Sequence, residues 1–169
     1  LQALSTSQVN ALNLNVFKAL SSTQLQAFST AQVSKFGDAQ IKAMSASQFD
    51  ALTTAQLEAL TSSQVALLTV ADLATLNTAD VAALSTDDVR AMTNTQLKSL
   101  SSSVLSGMST AQLNAISTSL VTNLAGGAIS ALSSDQIQSL STAHIGVLSA
   151  TQLKSLSASA LGNLTTTQL

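Results

Sequence analysis

Few residues in this chain have ready chemistry. His144 is the only histidine, and the acidic residues are Asp38, Asp50, Glu58, Asp72, Asp80, Asp87, Asp88 and Asp135. A metal site needs several converging ligands, and a serine hydrolase needs a histidine held between its nucleophile and a carboxylate. Serine is abundant, yet none stands in a G-x-S-x-G turn, and the single histidine has no evident set of partners. His144 lies in "STAHIGVL", three residues after Ser141, where most copies of the same phrase carry Gln. An imidazole can replace the hydrogen bonds of that amide, so we read His144 as structural. Asp72, Asp80 and Asp88 recur at intervals of eight. Carboxylates are favourable at helix N-termini, and that is the reading we adopt; the sharper alternative is weak calcium binding between adjacent acidic rungs. The Gly pair in "LAGGAI", residues 124–129, is no phosphate loop. It reads as a local bend or a degenerate copy of the surrounding pattern. We therefore expect no catalytic, cofactor-binding or metal-binding residues, and no cofactor.

The interval of eight extends to the whole chain. An apolar residue stands at every eighth position from Leu4 to Leu164, and a second apolar register runs from Val9 to Leu169. The unit is S/T-T/S-x-Q-Φ-x-A-L, with Φ a large aliphatic residue or Phe, repeated from Ser5 without insertion or deletion. Its first position is Ser, Thr, Asn or Gly in 20 of 21 copies, Ala125 being the exception. Those residues favour helix N-caps. Three positions later stands Gln in 12 copies and Asp in three. This is the S/T-x-x-Q capping box, in which hydroxyl and amide each satisfy a backbone N–H of the new helix. The chain thus signals a helix start every eighth residue.

One unbroken helix is excluded by geometry. At about 100° per residue, an octad advances the apolar stripe by roughly 80° around the cylinder, a drift no partner helix can follow. Two turns per octad would need about 4 residues per turn, too far from 3.6 for a coiled coil. A β-solenoid is disfavoured because apolar spacings of five and three do not alternate with period two, and Ala, Leu, Gln and Lys favour helix. We expect an all-α solenoid or superhelix of very short capped helices, one per eight-residue repeat, each reoriented so that both apolar registers face a common interior. Such helices are unstable alone and need neighbouring repeats for burial. Ala at the seventh position permits close approach, and Lys35 or Asn123 there would mark more open spots. Threonines such as Thr6, Thr30, Thr54 and Thr78 recur at every third octad; they would stack if three octads closed one turn.

The array forms a single continuous unit over residues 1–169, about 21 repeats, and it begins and ends in mid-pattern, as expected of a piece of a longer array. At 46% hydrophobic residues the chain can bury a core, yet only 8% are charged against a usual figure of about 25%. Ser, Thr, Gln and Asn must keep the surface wet. A net charge of −2 offers no basic patch for nucleic acid, and no apolar run approaches the roughly 20 residues of a membrane span. Cysteine is absent, which leaves the redox compartment unspecified.

Runs such as "LTTAQLEALTSSQV" and "LSTAQLNAISTSLV" resemble the L-[ST]-[ST]-A-Q-[LIV]-x-A octad arrays inside very large bacterial secreted or surface proteins of adhesin-like type. The resemblance covers essentially the whole chain. It implies an extracellular or cell-surface stalk, spacer or filament, and it carries over no catalytic residue. The Gly- and Asp-rich nonapeptides of calcium-binding repeat toxins are missing. The expectation is a structural repeat segment with no enzymatic activity, whose partners are neighbouring repeats or, by self-assembly into fibres, other copies. The alternative is a hydroxyl-rich surface for ice, glycans or another ordered lattice.

Overall fold

The computed structural model describes all residues 1–169. Each of the twenty octads from Ser5 to Leu164 forms one helix of four to six residues, from Thr6–Asn10 to Ala158–Gly162, and there is no strand. Every helix starts one residue after the first octad position. At Thr53, with φ −71° and ψ 156°, the Oγ1 accepts from the Gln56 N–H at 3.3 Å while Gln56 Oε1 accepts from the Thr53 N–H at 3.0 Å. The same reciprocal pair closes in thirteen octads, ten with Gln and three with Asp.

The helices end without proline and without a left-handed glycine. Leu84 turns to φ −68°, ψ 138°, its N–H still reaching Val81 O at 3.2 Å, and Ser85 follows at φ −73°, ψ 164°. Two consecutive extended residues thus redirect the chain between octads. No residue has positive φ and no peptide is cis, so ordinary β-region torsions suffice and left-handed turn residues are not needed.

Reorientation puts both apolar registers inside. Thirty-nine buried hydrophobic residues form one continuous cluster, including Val9, Phe49, Leu97 and Ile137. Each large aliphatic or aromatic side chain so buried contributes about 1.5–3 kcal/mol, which is what holds helices too short to persist alone. Near the start of the coil, Phe36 meets Phe17 and Phe28 edge-on at centroid distances of 5.0 and 5.3 Å.

Successive coils lie directly against one another. Helix Thr54–Glu58 packs on Thr30–Val33 on one side and on Thr78–Ala83 on the other, three octads away in each direction. Polar contacts between coils join residues 25 apart, as in Gln26 Nε2 to Ala51 O, up to 31 apart, as in Gln56 Nε2 to Leu25 O. One coil therefore takes about 25 to 31 residues, more than three whole octads, so like positions in adjacent coils are displaced. The three-octad turn that would stack the recurrent threonines is not formed. At the seventh position, Lys35 is exposed as expected of an open spot, but Asn123 is half-buried. Gly107 occupies this position against the backbone of the coil below: a Cβ there would lie 2.9 Å from Thr78 Cα.

Candidate functional site

The most regular polar feature is a row of side chains between coils. Glutamine at the third helical position has two ends, and the capping box uses only Oε1. In Gln56 the other end, Nε2, donates to Leu25 O at 2.9 Å and Phe28 O at 2.8 Å, on the coil below. The pattern repeats: Gln64 donates to Val33 and Phe36, Gln96 to Val65 and Leu68, Gln112 to Val81 and Leu84, and Gln152 to Val121 and Leu124. All ten glutamines of this register from Gln32 onward reach carbonyls 28 or 31 positions earlier.

The acceptor at the lower end explains the need. The eighth residue of each octad lies between two helices, and its carbonyl receives no backbone hydrogen bond; Phe28 O, Phe36 O and Leu68 O are examples. Left buried and unpaired, such a group costs about 1–3 kcal/mol. Where a glutamine stands above, it supplies the donor, as at Phe28, Phe36 and Leu68, whereas the Met44, Leu52 and Leu60 carbonyls beneath Asp72, Asp80 and Asp88 accept none. Gln56 is 2% exposed and Gln112 3% exposed, so this ladder is interior structure with no free polar face.

His144 takes over part of this role. Its Nε2 lies 2.7 Å from Ile116 O and its Nδ1 2.5 Å from Ser141 Oγ. Facing a carbonyl, Nε2 carries the proton and donates. The ring has no acceptor left for the Ser141 N–H, which donates instead to Asn114 Oδ1 at 3.0 Å, while Asn114 Nδ2 donates to Ser139 O at 2.8 Å.

The three aspartates sit at the same position and act on their own caps. Asp72 Oδ2 accepts from the Thr69 N–H and hydroxyl, both at 2.8 Å. Asp80 Oδ2 accepts from the Asn77 N–H at 3.0 Å. Asp88 Oδ2 accepts from the Ser85 N–H and hydroxyl, and its Oδ1 accepts from Ser62 Oγ at 2.9 Å on the coil below. A carboxylate cannot donate to a carbonyl, so these octads lack the glutamine bridge. No three His, Cys, Asp or Glu side chains converge anywhere in the fold. The one ion pair, Arg90 with Asp87, lies on the surface within a single helix.

The "LAGGAI" stretch is a degenerate copy of the repeat rather than a bend. Helix Gly126–Ile129 forms with no side-chain cap, held between Ser102–Gly107 and Ala150–Ser155. Beside it the coil interior keeps a void of about 20 Å³, lined only by aliphatic side chains such as Leu113, Ile129 and Leu148. It has room for about one water and no polar group to orient a ligand. No helix is long and apolar enough to cross a membrane.

The inter-coil donor is what the sequence reading missed. A signal was available: Glu serves the capping box as well as Gln, yet Glu never occupies this position. A second, donating end distinguishes the predominant Gln from the three Asp copies, which close the cap and go without the bridge.

Residues 34–70 and 68–102 match the family model of the ALTTAQ repeat. This stretch is thus a Ser/Thr-Ala-Gln-Leu repeat array of the kind expected from its octads. No curated protein and no solved structure matches the chain.

Proposed function

We propose that this chain is a structural segment, a stalk, spacer or filament within a bacterial surface or secreted protein, and that it performs no catalysis. The observation carrying this reading is the glutamine ladder. The side chains that recur with the repeat, cap hydroxyl and Gln alike, are engaged in holding octad to octad and coil to coil. Contacts are confined to neighbouring coils, so length can grow by adding repeats while every local environment stays the same. A non-core share made of hydroxyls and amides, with only 8% charged residues, suits a passive rod exposed to water.

The alternative, a hydroxyl surface matched to ice or glycans, needs hydroxyls in register from coil to coil. Coil spacings of 25 to 31 residues displace like positions between adjacent coils, which favours the structural reading. The test is a series of arrays lengthened by whole coils with fluorophores at both ends. End-to-end distance rising linearly with coil number supports a spacer. A distance independent of coil number would contradict it.

A further inference from the structure

One interior octad lacks both polar devices that hold the others. Beyond the thirteen reciprocal boxes, Asn13, Ser101, Ser141 and Ser157 cap their helices with a side chain, and the Gly37 N–H donates to Gln40 Oε1. Only two helices start with no side-chain bond at the cap, and they are consecutive, at Ser117 and Ala125. Their ladder positions hold Leu120 and Ala128, which have nothing to donate to the coil below. The first of the two octads is still held from above, by Gln152 Nε2 on Val121 O and Leu124 O. Residues 125–132 are not. The ladder position over them is Ala160, and their one side-chain hydrogen bond is internal, from Ser130 Oγ to Gly127 O at 2.9 Å. The octad of Asp72 also lacks a bridge, but it keeps its capping box.

Apolar packing is also poorer at this place. The void of about 20 Å³ in the coil interior is lined by Ile129 and Leu132 of this octad and by Val121 and Leu124 of the one before it. The helix Gly126–Ile129 opens on two glycines, the costliest residues after proline to hold in a helix. Nothing lies within 4 Å of where a Cβ at Gly127 would stand, so no close approach calls for glycine there. We propose that residues 125–132 are a built-in release point of the coil, an octad that detaches and re-docks while its neighbours stay in place. The neighbours are fastened: Gln152 holds Leu124 on one side, and on the other Gln136 caps at Ser133 and donates to Leu105 O and Met108 O. Opening is therefore confined to one octad, since each repeat is held only by its own cap and by the adjacent coils. In a rod under load, this is where the coil yields first and where its backbone becomes accessible.

The role under load rests on the structural reading above; the opening itself does not, and it is tested on the free chain. Amide hydrogen exchange followed residue by residue compares N–H groups at equivalent octad positions. Ile129 and Leu132 donate to Ala125 O and Ile129 O, as Leu113 and Ile116 donate to Ser109 O and Leu113 O in an octad with cap and bridge intact. Protection of the first pair is expected to be lower than that of the second by about tenfold or more. Leu73 and Leu76, capped but unbridged, should fall between. Ala125→Ser combined with Ala128→Gln rebuilds the box and aims a donor at the coil below, in a position where Gln112 is accommodated at 3% exposure. It should raise protection of Ile129 and Leu132 by about tenfold or more and leave Leu73 and Leu76 unchanged. Equal protection of the three wild-type pairs, or a rebuilt octad that exchanges as fast as the wild type, would overturn the proposal. Either result would leave the length-scaling test of the spacer untouched.

Discussion

Gln56 Nε2 donates to Phe28 O, 28 positions earlier in the chain, while Gln56 Oε1 accepts from Thr53 three residues away. One side chain therefore starts a helix and attaches it to the coil beneath. The local half could be formed by any residue of a capping box; the distant half fixes how far apart in sequence successive coils lie.

Replacing Gln56 by Ala removes both halves. It leaves the Thr53 N–H and the Phe28 carbonyl without partners in a site that is 2% exposed. We expect a loss of about 1–3 kcal/mol, measured by urea denaturation. A change below a few tenths of a kcal/mol would show the ladder to be incidental.

Gln56→Glu separates the two halves. The carboxylate can still accept from Thr53 but faces Leu25 O and Phe28 O with no proton to donate. At neutral pH we expect a loss on the order of 3 kcal/mol. Burial beside two carbonyls raises the folded-state pKa of this new carboxyl above its unfolded value of about 4.3. Stability is then retained below that value, where the neutral acid donates, and lost as pH rises through the folded pKa. Melting of this variant and wild type at low and neutral pH checks the sign.

Asp72→Gln should be stabilising. The amide keeps the Thr69 cap and adds donors toward Ile41 and Met44, the carbonyls that the ladder spacing places beneath it. We expect a gain of about 1 kcal/mol. Asp88→Gln should gain less, because its carboxylate already accepts from Ser62. The comparison is read from thermal melts of the two variants.

His144 and Asn114 should be coupled. Asn114→Ala deprives the Ser141 N–H of its acceptor in the wild type. In a His144→Gln background the new Oε1 takes that N–H, so the same truncation should cost less. A double-mutant cycle with a coupling of about 0.5 kcal/mol or more checks this; strict additivity would oppose it.

The fold was largely legible because capping and burial are local to the octad. Thr53 and Gln56 announce a helix start by chemistry confined to a single turn, and the Leu60 and Leu57 registers announce an interior. Coil size was not legible in the same way. It depends on how the extended pair at Leu84 and Ser85 rotates each helix relative to the last, a torsional sum on which the recurrence of Thr at every third octad has no bearing. His144 was read as a stand-in for the capping amide, but its ring leaves the Ser141 N–H to Asn114 on the coil beneath and bonds Ile116 O instead, which required the coil spacing. The ladder itself was hidden because the capping box already gave Gln a sufficient local reason.

The most direct measurement is nuclear Overhauser contact from the side-chain amide protons of Gln56 and Gln64, assigned in selectively labelled protein. The account predicts cross-peaks to residues 25–29 and 33–37 respectively, with slow solvent exchange of those amides. Fast-exchanging amides with contacts confined to their own octads, or contacts centred on the position three whole octads earlier, would contradict it.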